Sequence, residues 1–326
     1  MAGIKLVFMG TPDFAVPSLE AVIAAGHNVQ LVVTQPDRPK GRKRAPQPPP
    51  VKVTAEANAV PIYQPRSVNS DDSIDKLNSI RPGVIVVAAY GQFLRKRVIE
   101  AAEIACINVH ASLLPRYRGA APIPAAILNG DETTGVTIQK MVRKMDAGDI
   151  IRRRSTPIAP DETAGELTGR LARLGAQLLI EALEDLEFGR AKLEPQDGSQ
   201  ATFAPALHKD DGKIEWCRSG VQIARHVRAM TPWPGAFAFL PRGKRPLRIT
   251  VKKASGVEAA PAGEPGEVVA ISREGFVVKA AQGAVLVREL QPAGKKPMAA
   301  AEFVRGYRLQ IGERFAEARF GNNRTQ

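Results

Sequence analysis

Two cysteines in 326 residues are too few for a disulfide framework, and neither Cys106 nor Cys217 shows a metal-ligand spacing. A reducing compartment is expected, and no metal. No apolar run approaches the roughly 18 residues of a membrane span. The opening MAGIKLVFMGTPDF reads as a first strand and turn, not as a basic and apolar leader, so a cytoplasmic protein without membrane association is expected. The first turn, GTPDFA, lacks G-x-G-x-x-G, and no G-x-x-x-x-G-K-[ST] occurs anywhere. Neither a dinucleotide nor a nucleoside triphosphate is therefore predicted. No internal repeat is visible.

What is present points to two folded parts. The length suggests about two domains, and 44% hydrophobic residues can fill two cores. Apolar runs at 4–9 (IKLVFM), 29–34 (VQLVVT), 84–89 (VIVVAA) and 104–109 (IACINV) alternate with helical stretches at 15–25, about 73–80 and 96–102. Near-continuous apolar strands alternating with helices predict a Rossmann-like, doubly wound α/β fold with a mainly parallel sheet. Thr163 and Glu166 form a capping-box pattern, and Leu167, Leu171, Leu174 and Leu178 follow as the stripe of an amphipathic helix. The polar stretch after Gly189 reads as a linker. Beyond it come a helix at 220–230 and five short β-rich runs, 236–240, 247–252, 266–272, 275–280 and 284–290, which predict a second, smaller β-barrel, OB-like in character. The expected division is a catalytic domain over 1–189, a linker over 190–207 and a basic barrel over 208–326.

The charge is uneven. Residues 208–326 hold 21 Lys/Arg against 11 Asp/Glu, whereas residues 1–207 hold 25 against 22. The excess sits in the barrel, and a polyanion, nucleic acid first, is the natural partner. A solvated basic surface with no partner is the bland alternative.

The segment CINVHASLLPRYRG, 106–119, carries the chemistry. Residues i and i+2 of a strand share a face, so Asn108 and His110 converge at the carboxyl end of a buried strand, where parallel sheets bind ligands. Ser112, Leu113, Leu114 and Pro115 then make a short apolar turn, followed by Arg116, Tyr117 and Arg118; apolar surface, planar groups and cations suit a flat anionic ligand. A carboxylate is available from KMDAGDII, 144–151, where Asp146 sits in a turn marked by Ala147-Gly148. Taken alone, His110 also reads as a satisfied core histidine and Asp146 as a turn-former. Together they give amide, imidazole and carboxylate with no Ser or Cys nucleophile, a set that fits direct transfer to an amine.

These residues resemble the formyltransferases that use 10-formyltetrahydrofolate, which carry Asn-x-His, SLLP and a downstream aspartate loop. Within that family the likeness is to the branch acting on methionyl-tRNA. GTPDFAVPSLEAV (10–22) and TQPDRPKGR (34–42) are similar to its first helix turn and tRNA-contacting loop, HASLLPRYRGAAPI (110–123) to its central signature, and HKDDGKIEW (208–216) and MTPWPGAFAF (230–239) to its carboxyl-terminal domain. The resemblance implies Asn108, His110 and Asp146 as the catalytic set and Ser112, Leu113, Leu114 and Pro115 as folate contacts. It also implies 10-formyltetrahydrofolate as donor and initiator methionyl-tRNA as acceptor, in translation initiation. Asn108 and His110 would donate hydrogen bonds to the formyl oxygen, while Asp146 would orient the imidazole, favour its protonated form and help take the amine proton. Two positions depart from the pattern. Met141 to Met145 lacks the acid and the glycine usual before this aspartate, and Arg95 stands where a proline is common after Tyr90-Gly91.

The loop 38–52, RPKGRKRAPQPPPVK, has six basic residues and no acid. Its place in a βα connection puts Arg38, Lys40, Arg42, Lys43 and Arg44 forward as contacts to the tRNA acceptor end. A monomer is expected, since nothing signals an obligate interface. The competing readings are the same chemistry on a small amine, such as a sugar nucleotide, and an RNA-binding protein without catalysis. RNA affinity is expected to fall steeply with salt, and neutralising each phosphate-contacting residue in the 38–44 loop should reduce the log–log slope by nearly one unit. Filter binding across a salt series checks this, and a salt-insensitive complex would contradict it.

Overall fold

The computed structural model describes residues 4–40, 45–242 and 246–316. They form two compact units. The first comprises 1–122, 132–158 and 166–205; the second comprises 123–131, 159–165 and 206–326.

The first unit is built on a seven-stranded sheet: β1 (Lys5–Gly10), β2 (Asn28–Val33), β3 (Ile62–Tyr63), β4 (Val84–Ala88), β5 (Ala105–His110), β6 (Thr133–Lys140) and β7 (Ile150–Pro157). Their order is β7-β6-β5-β4-β1-β2-β3. The first five strands run parallel, and each apolar run of the sequence is one of them. The order reverses beside β1, which opens the ligand crevice of an open α/β sheet at the strands' carboxyl ends. Those ends are tied together: the Thr11 hydroxyl donates to the Tyr90 carbonyl at 2.7 Å and accepts from the Gln35 amide at 3.4 Å.

Three strands were not legible in the sequence: the two-residue β3 and the two that follow β5. β6 pairs antiparallel with β5, and β7 antiparallel with β6. Antiparallel neighbours need no crossover helix, so the alternation of strands and helices stops at β5 and gives no warning of them. β6 is nonetheless buried over Thr134–Gln139, whereas β7, at the edge, alternates exposed and half-buried positions from Arg152 onward. Helix Ala164–Glu187 covers the sheet with Leu167, Leu171, Leu178, Leu179 and Leu183 all buried. The helix anticipated over 96–102 is one turn, Lys96–Ile99.

In the second unit the five β-rich runs are strands β8 (Ala236–Leu240), β9 (Leu247–Val257), β10 (Val268–Ile271), β11 (Phe276–Lys279) and β12 (Ala284–Pro292). All pairings are antiparallel, in the order β8-β9-β12-β11-β10. The chain after Gln310 closes the ring, since Phe239 bridges Ala316 and Glu267 bridges Arg314. A closed barrel leaves no free sheet edge. β9 runs five residues past its anticipated end because Lys253–Val257 pairs with β12 although it is not apolar. Helix Gly220–Ala229 starts at a capping box of Ser219 and Gln222, and Gly220 is required there because a Cβ would stand 2.1 Å from the Ala284 carbonyl oxygen.

No helix of the described residues is long and apolar enough to cross a membrane. Leu171→Ala, which empties a fully buried site on the long helix, is expected to cost the first unit about 2–5 kcal/mol. Urea denaturation followed by circular dichroism checks this, and an unmoved midpoint would remove that helix stripe from the core.

Candidate active site

Asn108 and His110 leave the end of β5 on one face, and His110 is buried while Asn108 is half-buried. The carboxylate of Asp146 meets both. Its Oδ2 stands 3.8 Å from His110 Nδ1, and its Oδ1 accepts from Asn108 Nδ2 at 3.5 Å. The three residues singled out from the sequence thus converge on one point.

The other ring nitrogen of His110 is already committed. Nε2 lies 3.0 Å from the Tyr117 carbonyl oxygen. A carbonyl only accepts, so Nε2 carries hydrogen and Nδ1 is the nitrogen that exchanges a proton. Burial holds the imidazole pKa below its ordinary value, against the upward pull of Asp146 and of the Tyr117 carbonyl. The anticipated effect of Asp146, favouring the charged ring, is present, and desolvation exceeds it.

Asp146 is in the left-handed region, at φ 47°, where a non-glycine residue needs its surroundings to hold it. Oδ2 accepts from the Gly119 backbone N–H at 2.8 Å and Oδ1 from Gln139 Nε2 at 2.9 Å. Gln139 is itself buried, and it stands opposite Asn108 in the β5–β6 register. The Gly119 N–H reaches the carboxylate from a strand so close to its neighbour that a Cβ would lie 2.6 Å from the Ala204 carbonyl oxygen. Gly148 closes the aspartate loop for the same reason: its Cβ would overlap the Lys140 carbonyl oxygen at 1.7 Å.

The SLLP turn divides. Ser112 and Leu114 are buried, with the Ser112 hydroxyl donating to the Arg116 carbonyl at 2.6 Å and the Leu114 amide donating to Thr137 Oγ1 at 3.2 Å. Leu113 and Pro115 are half-exposed. Ser112 and Leu114 therefore shape the turn, and Leu113 and Pro115 are the two that present side-chain surface.

Of the basic loop, Arg38 is exposed on a short ribbon pairing Arg38–Lys40 with Ala45–Gln47, and its Nη2 donates to Gln35 Oε1 at 3.1 Å. Lys40 contributes its backbone to that ribbon; Arg42, Lys43 and Arg44 lie outside the described residues.

The chain matches the family model described as formyl transferase over residues 4–183, and the model of the formyl transferase carboxyl-terminal domain over 206–308. The methionyl-tRNA formyltransferase of Geobacter sulfurreducens is 45% identical over 318 residues, covering 98% of each chain. The chain belongs to the methionyl-tRNA formyltransferase family. Another relative of that name, from Moorella thermoacetica, is 45% identical over 95% of this chain and 98% of its own. Among solved structures, HypX from Aquifex aeolicus in complex with tetrahydrofolic acid superposes with a TM-score of 0.64 at 18% identity, covering 96% of this chain and 49% of HypX. This chain thus spans about half of the HypX chain. A Helicobacter canadensis N-formyltransferase in complex with folinic acid and dTDP-3-aminofucose gives 0.65 at 18% identity, over 87% of this chain and 98% of its own. At such identities the likeness concerns the fold.

Sequence reasoning missed Gln139, Gly119 and the Tyr117 carbonyl. Only Gln139 had a signal, as an amide inside the otherwise apolar, β-branched run GVTIQ; the other two act through backbone atoms. In a histidine NMR titration, His110 is expected below about 6.5, and Asp146→Asn should lower it further by removing the charge that favours the imidazolium. The unfolded chain then binds the proton more tightly, so stability should rise with pH between the native His110 pKa and about 6.5. Titration of His110 above that value would overturn the dominance of burial.

Proposed function

We propose that this protein transfers the formyl group of 10-formyltetrahydrofolate to the α-amino group of initiator methionyl-tRNA, with Asn108, His110 and Asp146 as its catalytic set. The observation that carries the proposal is the convergence of an amide, a neutral-leaning imidazole and a carboxylate at the sheet's carboxyl edge, in a chain of this family. The donor supplies a formyl carbon on a nitrogen leaving group. The aminoacyl nitrogen must shed a proton, form a bond to that carbon and displace the folate nitrogen, which takes a proton as it leaves.

His110 Nδ1, with Asp146 beside it, is placed to take the amine proton. Asn108 Nδ2, whose contact with Asp146 is long, is placed to donate to the oxygen on which negative charge grows. A preorganised donor is effective because it needs no reorientation as the charge develops. Asp146 holds the imidazole and stabilises the imidazolium that proton uptake creates. The turn at Leu113 and Pro115 offers apolar surface to the folate ring.

The barrel's excess of positive charge supports a tRNA acceptor over a free metabolite, as does the exposed Trp233 of the MTPWPGAFAF segment, 55% accessible. An exposed indole suits stacking on a base. Arg38, Lys40, Arg42, Lys43 and Arg44 are proposed as acceptor-stem contacts.

Single-turnover transfer of labelled formyl from 10-formyltetrahydrofolate tests this, with initiator methionyl-tRNA, elongator methionyl-tRNA and an amino-sugar nucleotide compared. Fast formylation of the initiator is expected, and Asn108→Ala should slow it by about 100- to 1,000-fold while tRNA affinity persists. Transfer to the sugar nucleotide alone would refute the proposed acceptor.

A further inference from the structure

We infer that Gln196, from the polar stretch that follows the long helix within the first unit, is a positioning residue that sets the Asp146 carboxylate by holding its loop from behind. The inference rests on the catalytic set proposed above. Gln196 Nε2 donates to the Asp146 carbonyl at 2.9 Å and to the Gly148 carbonyl at 2.6 Å, with a longer approach of 3.3 Å to Gln139 Oε1. Both of its hydrogens are thus spent on the two carbonyls of the aspartate loop. Its Oε1 accepts from Arg118 Nε at 3.1 Å and Nη2 at 2.7 Å. Arg118 is 3% exposed. A guanidinium only donates and a carbonyl only accepts, so the partners at its two ends leave the carboxamide one orientation.

The contact is one of several that fasten 194–204 to the rest of the first unit. Glu194 exchanges two backbone hydrogen bonds with Ile150, at 2.8 and 2.9 Å. The Tyr117 amide donates to Thr202 Oγ1 at 2.9 Å and the Arg118 amide to the Thr202 carbonyl at 2.8 Å. Phe203 and Ala204 pair in parallel with Arg118 and Gly119. The same strap therefore braces both flanks of the site: the loop that carries Asp146, and the loop whose Tyr117 carbonyl and Gly119 N–H bond His110 and Asp146. Asp146 sits at a positive φ that its own loop does not favour, and Gln196 acts on the two carbonyls that bracket the turn.

The test is kinetic and spectroscopic, on full-length protein. Gln196→Glu keeps an acceptor for Arg118 but sets oxygen against the two loop carbonyls; Gln196→Met has similar length and neither group. Both are expected to lower kcat about 10- to 100-fold, the scale of a small misplacement of a catalytic group, with KM for the folate donor and for methionyl-tRNA within about twofold. In Gln196→Met, which adds no charge, the His110 NMR titration should move down as the carboxylate loosens. Wild-type kcat in Gln196→Glu would overturn the proposal, because the Arg118 contact alone would then suffice. So would a loss of rate that merely tracks the folded fraction, monitored by thermal denaturation, with His110 titrating as in the wild type. If the wild type makes no formyl product at all, the functional reading fails, and the His110 titration still decides whether Gln196 positions the carboxylate.

Discussion

A carboxylate taken largely out of water must be given donors, and the donors decide where it can be. Asp146, whose side chain is 13% exposed, receives them from three separate parts of the chain: Gln139 on β6, the Gly119 N–H beyond the SLLP turn, and Asn108 on β5. Much of the first unit can be understood as what is needed to bring these three together. β5 must end at the ligand crevice, β6 must pair with it so that Gln139 faces Asn108, and the chain must return at Gly119 closely enough to Ala204 that only glycine fits. The left-handed backbone of Asp146 is tolerable because those bonds, with Gln196 behind the loop, offset its strain.

This dependence explains which parts of the molecule the sequence revealed. Four of the five parallel strands were legible because burial on both faces demands unbroken apolar runs, whereas β3, two half-buried residues, carries no such run; Asn108, His110 and Asp146 were legible because titratable and amide groups beside such runs have few structural uses. The barrel strands were legible from their glycine and proline punctuation. β6 and β7 were not, since antiparallel neighbours need no crossover helix and neither strand is an unbroken apolar run. Gln196 and the strap around it were hidden more deeply. LEPQDGSQ has the composition of a loop, and its importance lies in bonds to backbone carbonyls, which leave no trace in residue type. The resemblance to a formyltransferase family singled out Asp146 through a loop that lacks the usual acid and glycine, and its carboxylate stands beside His110 and Asn108.

The SLLP turn illustrates how a signature can mix two kinds of residue. Ser112 and Leu114 satisfy and fill the turn from within, and Thr137 of β6 joins it by accepting from the Leu114 amide and donating to the Ser112 carbonyl at 2.7 Å. Leu113 and Pro115 face outward. A motif alone cannot separate the two kinds, because both are needed for the motif to work. Burial and hydrogen bonding separate them, and they narrow the proposed folate contacts to the outward pair and the backbone between them.

The protonation of His110 bears on the proposed reaction in a definite way. Desolvation favours the neutral ring and Asp146 favours the charged one, with desolvation the larger. A neutral ring with Nε2 tied to Tyr117 has its lone pair on Nδ1, so in the proposed reaction it begins as a base. Once Nδ1 has taken the amine proton, the nearby carboxylate lowers the energy of the imidazolium at the moment when negative charge is building on the formyl oxygen. The cation then has two anionic neighbours, one permanent and one transient, and only the transient one is present solely along the reaction path. Stabilisation confined to that stage speeds the chemical step and leaves substrate binding unchanged. A histidine held charged from the outset by a stronger ion pair would lose the basic function, and one buried without the carboxylate would resist taking the proton. The distance of 3.8 Å between Nδ1 and Oδ2, longer than a hydrogen bond, leaves the ring between those extremes.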